Sequence, residues 1–258
     1  MTFSCKVKNE LCKKMESNDK DIKICQIYGA LLFCRNFSYD KINLVTGNKM
    51  FCDILASDIA GTFLVSADII KIKKGFLLSI LSDSDRKSII NTLCEEKNPL
   101  GINSKILKNE KLLAAFLRGV FLSCGTISDP SKDYHLEFCV QNQDLAMELC
   151  EIISKIKELN ISPKVLKRKE SFIVYIKECE SIIDFITYMG AGNNAMDMIQ
   201  IKILKEVRNY VNRTTNFEAA NLNKTAKAAA VQIDAIKKLK TAGKLNELPS
   251  DLYEIAQL

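Results

Sequence analysis

Two nine-residue segments, Ile27-Tyr28-Gly29-Ala30-Leu31-Leu32-Phe33-Cys34-Arg35 and Leu117-Arg118-Gly119-Val120-Phe121-Leu122-Ser123-Cys124-Gly125, stand 90 residues apart and share a helix-like apolar pattern. The same order of elements follows each of them. A short strand comes first, Ile42 to Val45 or Leu136 to Val140, and then a helix opened by Asn48 or by Asn142 to Asp144. Runs of alternating or continuous apolar residues predict two further strands in each half, Phe63 to Ile72 with Phe76 to Leu81, and Ser162 to Leu166 with Phe172 to Ile176. An amphipathic helix closes each half, around Arg86 to Cys94 and around Ser181 to Met189. The offset drifts to 96 between Phe76 and Phe172 and returns to 93 between Ile89 and Ile182, so only loops change length. A period near 90 is too long for a solenoid unit and points to duplication of a small α+β domain. The boundary between halves falls at Lys97-Asn98-Pro99-Leu100-Gly101, where Pro and Gly punctuate the chain.

Beyond Met189 the pattern changes. Gly190-Ala191-Gly192-Asn193-Asn194 ends the second half, and the spacing of Met198, Ile201, Leu204, Val207 and Val211 predicts a helix. Residues 212–223 read as a polar extended connection, Thr225 to Leu239 as a second helix stopped at Gly243, and Ser250 as the cap of a third helix from Asp251. Charge collects in this region. Residues 202–246 hold ten Lys and Arg against three Asp and Glu, a surplus of +7, whereas the whole chain carries +6 and its remainder is therefore −1. A near-neutral body with a basic segment fits a polyanion-binding arm, and on charge alone it also fits a solvated helix face.

Ten cysteines without a C-x-x-C pair, together with a single His, exclude a zinc finger or ribbon. Their apolar surroundings predict reduced, buried thiols in a reducing compartment. The N-terminus has no apolar signal core, and no stretch approaches the roughly 20 apolar residues of a membrane span, so a cytoplasmic protein is expected.

Gly29 and Gly119 take the third place of their nonapeptides, where a missing side chain lets two helices approach closely. The duplicated pattern resembles the LAGLIDADG homing-endonuclease family over most of residues 20–190. That resemblance implies two α-β-β-α-β-β-α halves related by a pseudo-twofold, with the nonapeptide helices paired at the centre of a DNA-binding saddle. In the family the eighth residue of each motif is an acid that holds the divalent metals of phosphodiester hydrolysis. Here those residues are Cys34 and Cys124, and a thiol is a poor ligand for Mg²⁺, so cleavage is expected to be lost. The ninth residue is Gly125 in one motif and Arg35 in the other, a further departure. His135 and Glu137 are the nearest substitute metal pair and read equally as an ordinary pair on a sheet surface. Asp40, Asp129 and Glu137 are the acids an active endonuclease would have to use instead.

Similarity to a second family runs from end to end. It is carried by Phe3-Ser4 with Val7-Lys8-Asn9-Glu10-Leu11, by Ala115-Phe116-Leu117-Arg118-Gly119, by Tyr134-His135-Leu136-Glu137 and by Met189-Gly190-Ala191. Most specific is Arg208-Asn209-Tyr210-Val211-Asn212-Arg213, followed by Asn216-Phe217-Glu218-Ala219-Ala220-Asn221 and Lys224-Thr225, with Phe217 where the family has Cys. In these residues the chain resembles the WhiA family of bacterial transcription regulators, which join a degenerate LAGLIDADG domain to a C-terminal helix-turn-helix. The resemblance implies an α+β fold: a pseudo-twofold duplicated LAGLIDADG-like domain over residues 1–192, with repeats at about 20–97 and 105–192. A connecting helix and linker over 193–223 then lead to the first helices of an all-α helix-turn-helix module over 224–258.

The function implied is a regulator that binds double-stranded DNA without cutting it, linked to sporulation, cell division or chromosome segregation, cytoplasmic and nucleoid-associated. Protein co-regulators are further partners; no cofactor, metal, membrane or small-molecule substrate is expected. A protein-interaction scaffold built on the emptied saddle is the alternative to both the regulator and the active endonuclease. Arg208, Arg213, Lys224, Lys227, Lys237, Lys238, Lys240 and Lys244 are the phosphate-contact candidates. For Lys237, Lys238 and Lys240, relief of a helix macrodipole is an equal reading. The helix that would read bases does not follow the one begun at Asp251, so the chain reads as truncated. Weak DNA binding with steep salt dependence and little sequence preference is the expectation for this form.

Overall fold

Helices begin in this chain where a short polar side chain can accept the first free N–H groups. Thr2 caps α1 (Phe3–Met15), Asp19 caps α2 (Lys20–Leu32), Asn48 caps α3 (Lys49–Phe63) and Ser82 caps α4 (Asp83–Leu93). Asn109 and Asn142 do the same for α5 (Glu110–Cys124) and α6 (Gln143–Ser154). α7 (Cys179–Met189) ends at Gly190, whose φ of 105° places it in the left-handed region that closes helices. The computed structural model describes residues 1–95 and 101–257, so the expected boundary at Lys97–Leu100 lies outside the described residues.

Two four-stranded antiparallel sheets share one topology. The first holds β1 (Asn36–Phe37), β2 (Ile42–Thr46), β3 (Asp68–Ile72) and β4 (Gly75–Ile80) in the order β1-β2-β4-β3. The second holds β5 (Gly125–Ile127), β6 (Leu136–Val140), β7 (Lys164–Arg168) and β8 (Ser171–Ile176) in the order β5-β6-β8-β7. Registers agree as well as orders: Ile42 pairs with Ile80 as Leu136 pairs with Ile176, and Thr46 with Phe76 as Val140 with Phe172. The expected strand from Phe63 begins only at Asp68, because α3 runs on to Phe63 and closes with Leu64 at φ 59°. β1 and β5 are short strands that periodicity alone does not reveal.

α2 and α5, which carry the two nonapeptides, pack against each other more extensively than any other pair of helices. A Cβ on Gly29 would lie 2.1 Å from the Phe116 carbonyl oxygen and 3.0 Å from Val120 N. A Cβ on Gly119 would lie 2.2 Å from the Gln26 carbonyl oxygen and 2.9 Å from Ala30 N. Residues 116 and 120 are 26 and 30 shifted by the repeat of 90, so the crossing obeys the pseudo-twofold at the level of single atoms. Around it the core is continuous, with Tyr28, Phe51, Phe116, Phe121, Phe138 and Phe185 among its fully buried side chains.

The residue beside each glycine ties the crossing to its surroundings. Tyr28 OH donates to Gly101 O at 3.0 Å and accepts from Asn103 N at 2.7 Å, which fixes the chain that enters the second half. Arg118, at the matching position, donates to Met189 O at 2.8 Å and to Lys14 O at 3.1 Å. With its amide oxygen facing Arg118, Gln26 accepts from that guanidinium at 2.6 Å and donates to Met15 O at 3.1 Å.

α1 precedes the first repeat and holds three elements in succession. Lys8 Nζ donates to Leu122 O at the end of α5, and Asn9 accepts from the capping residue Asn48 at 2.8 Å. The Glu10 carboxylate accepts from the backbone N–H groups of Asn193 and Asn194 at 2.8 and 3.0 Å, where α8 (Gly192–Thr241) begins.

α8 corrects the expectation for residues 212–223, which are helical rather than extended. Asn and Thr favour turns locally, but no Gly or Pro stands between Gly192 and Gly243, so nothing breaks the helix before Thr241. Gly243, at φ 67°, then stops it as expected, with Lys244 N donating to Leu239 O. A 3₁₀ turn at Leu245–Glu247 leads to α9 (Ser250–Gln257). The chain forms two compact units, Met1–Lys202 and Ile203–Leu258.

Candidate nucleic-acid interface

The ends of α2 and α5 open on a cleft of about 570 Å³ lined by Cys34, Arg35, Asn36, Ser123, Cys124 and Cys139 among others. Both eighth-position thiols therefore reach one place, as the pseudo-twofold requires. Burial pushes each of them up to about 12, so at neutral pH they are uncharged. Cys34 donates to Asn36 O at 3.0 Å. Behind Cys124 sits Lys8, its ammonium 5.8 Å from the centre of the Phe121 ring. Burial lowers the Lys8 pKa, against the opposing pull of Cys124, Cys5 and Cys12.

A Mg²⁺ site needs hard, anionic oxygen ligands. This cleft offers neutral thiols, and the residues present do not fit the metal of the endonuclease fold. Among the described residues, no group of three or more His, Cys, Asp or Glu side chains could hold a metal ion.

His135 and Glu137 stand together at the second sheet, already bonded to each other. His135 Nε2 lies 3.1 Å from Glu137 Oε2, and Arg168 Nη2 donates to the same oxygen at 3.1 Å. Burial acts to raise the Glu137 carboxyl, but the bonds to His135 and Arg168 outweigh it and hold it below the usual value. Asp40 and Asp129 are exposed, and Asp129 accepts from Ser131 within its own turn.

The basic candidates are arranged differently. Arg208, Arg213, Lys224, Lys227, Lys237, Lys238 and Lys240 all lie on α8, and Lys244 follows it; all eight are exposed. Lys238 pairs with Asp234 at 2.8 Å and Lys244 with Glu247 at 3.7 Å. Among the described residues the other six make no ion pair.

At about 100° per residue, Arg213, Lys224 and Lys227 fall on one side of the helix, whereas Arg208, Lys237 and Lys240 project roughly a quarter turn or more away from it. The structure thus gathers part of the predicted set and separates the rest. Asn209, Asn212, Asn216 and Asn223 share the side of Arg213, Lys224 and Lys227, and they are exposed. Sequence reasoning missed them because an extended reading of 212–223 hides a helical spacing.

Comparison with known proteins agrees with this division. The family model for the WhiA LAGLIDADG-like domain matches residues 113–208, and that for the WhiA C-terminal HTH domain matches residues 211–258. The chain is 33% identical over 278 residues to the "Probable cell division protein WhiA" of Clostridium botulinum, covering 100% of this chain and 86% of that protein. The protein of the same name in Clostridium novyi is 33% identical over 277 residues, with the same coverage. Among solved structures, full-length DUF199/WhiA from Thermatoga maritima superposes with a TM-score of 0.69 at 24% identity, covering 100% of this chain and 86% of that one. The N-terminal LAGLIDADG domain of DUF199/WhiA gives 0.57 at 18% identity, covering 73% of this chain and 92% of that one. By the extent and identity of these matches, the chain belongs to the WhiA family.

Proposed function

We infer that this chain is a DNA-binding transcription regulator that holds duplex DNA through the basic side chains of its Ile203–Leu258 unit and does not cut it. The observation that carries this reading is the set of exposed Arg and Lys side chains on α8 that no acid neutralises. Such groups gain most from phosphates, because each contact releases condensed counterions. A match to a helix-turn-helix model over residues 211–258 supports the same partner.

The neutral thiols at the eighth position of each nonapeptide support the absence of cleavage. The relatives' name points to cell division, and we extend that role to this chain: regulation of division or sporulation genes, in the cytoplasm and at the nucleoid. In this reading residues 1–192 are the degenerate domain, 193–223 the connection, which carries Arg208 and Arg213, and 224–258 the partial helix-turn-helix.

Protein co-regulators fit one surface in particular. The outward face of the first sheet presents Asn43, Val45, Leu77 and Ile70, with Ile70 52% exposed and Asp68 as its one charged side chain. A face with exposed apolar residues, one acid and no basic side chain favours protein over DNA there.

Titration of labelled duplex DNA with the chain across a salt series tests the reading. Binding whose logarithm falls linearly with log salt, with no nicking of supercoiled plasmid in Mg²⁺ or Mn²⁺, is the expected result. Cleavage, or no binding at low salt, sinks it.

A further inference from the structure

We propose that one face of α8, formed by Asn209, Asn212, Arg213 and Asn216, enters the major groove of duplex DNA and reads base edges, with Lys224 and Lys227 on the adjoining phosphates. The proposal rests on the DNA-binding reading above and specifies its contact face. These four residues follow the spacing i, i+3, i+4, i+7, which places them on one side of a helix. Recognition helices of three-helix DNA-binding domains use the same spacing to reach bases. A helix with its side chains is about 10–12 Å across, which fits a major groove about 12 Å wide.

The chemistry of the face is specific. A carboxamide donates and accepts at once, the pattern that matches the N6 and N7 edge of adenine, and a guanidinium matches O6 and N7 of guanine. Neither pairing is needed for simple phosphate contact, for which Lys224 and Lys227 suffice. All six side chains are exposed, and among the described residues the three asparagines make no side-chain hydrogen bond.

Charge agrees with this partner. Residues 202–246 carry a surplus of +7, and Glu218 projects from the opposite side of the helix, while Glu206 and Asp234 bound the face at its two ends. The apolar residues Val207 and Val211, 56% and 52% exposed, share the side of Glu218. Between Glu206 and Asp234 the Asn and Arg face carries no acid. Asparagine is a poor residue for a helix interior, so three of them in two turns serve something other than helix formation. Weak, unselective binding was the expectation for this chain, and this face adds a base preference to it.

Selection from a randomised duplex pool with the whole 258-residue chain tests the proposal. The wild-type chain should enrich a short motif bound roughly tenfold or more over random duplex, the discrimination that one or two bidentate base contacts supply. A variant with Asn209→Ala, Asn212→Ala and Asn216→Ala should lose that preference while keeping its affinity for random duplex within about twofold and its salt slope unchanged. Alanine is the better helix former, and circular dichroism confirms that the variant remains folded. Asn212→Gln, which keeps the amide but moves it, should weaken the preference without abolishing binding. Enrichment that survives the triple substitution, or salt-dependent binding with no enrichment at all, overturns the proposal and leaves DNA binding intact. Failure of the wild-type chain to bind any duplex overturns the DNA-binding reading itself.

Discussion

Arg118 and Arg213 both stand in stretches that carry the family likeness, yet one is turned inward and the other faces solvent. Arg118 donates to Met189 O and Lys14 O, and burial depresses its pKa; Arg213 is exposed and makes no ion pair among the described residues. The contrast extends to the units they belong to. In Met1–Lys202, Lys8, Asn9, Glu10 and Arg118 each end on a different element of the same unit. In Ile203–Leu258, Arg208, Arg213, Lys224 and Lys227 project into solvent. Similar residue types in equally family-like stretches thus serve folding in one unit and remain available to a partner in the other.

The sharpest way to break this contrast is Gly119→Ala. Its Cβ would lie 2.2 Å from a backbone oxygen of α2, so the central helices must separate, and a loss of more than about 4 kcal/mol is expected in urea unfolding. Gly61→Ala, where nothing lies within 4 Å, should instead stabilise α3 by about 0.5–1 kcal/mol. Equal effects at the two sites would remove the case for a glycine-dependent crossing.

Alkaline unfolding comes next in size. Cys12, Cys25, Cys34 and Cys124 are raised to about 12, and Cys52 and Cys94 to about 11, from an ordinary value of 9.0. A raised thiol contributes stability that is complete below pH 9.0 and is lost as pH climbs toward the folded value. Each buried thiol then removes up to about 1.4 kcal/mol per pH unit. Urea midpoints should be level through neutrality and fall steeply above pH 9; midpoints still level at pH 10.5 would mean that the thiols ionise inside the fold.

Arg118→Met should cost about 3 kcal/mol, because the carbonyls of Met189 and Lys14 lose a charged donor. Glu10→Ala should cost about 1 kcal/mol, the usual value of a lost helix cap, with hydrogen exchange rising first at Asn193 and Asn194. Protection unchanged there would show that α8 is held by other contacts. In the Ile203–Leu258 unit, Lys224→Ala with Lys227→Ala should leave stability within about 0.5 kcal/mol. The same pair should lower the salt slope of DNA binding by about 1.8, and a loss of stability instead would erase the distinction between the two units.

Much of the Met1–Lys202 unit is legible in the residues. Duplication, the asparagine caps at Asn48 and Asn142, and the close approach at Gly29 and Gly119 each follow from a local rule that the fold obeys. What was hidden depends on partners distant in sequence. Nothing near Lys8 announces that it bonds Leu122, 114 residues away, or that its ammonium lies beside Cys124. In α8 the balance runs the other way. Asn and Thr at 212–223 predict an extended connection by weak local preference, and the unbroken run without Gly or Pro overrides it. The extended reading also hides the shared face of the asparagines.

The lysine behind Cys124 also bears on how the family could change from here. Were carboxylates restored by Cys34→Asp and Cys124→Asp, the ammonium of Lys8 would compete with any divalent cation for the new charge. A carboxylate at position 124 would therefore be felt at once by Lys8 on α1, which is bonded to Leu122 O at the end of α5. The chemistry of this cleft is set partly by a helix that precedes both repeats.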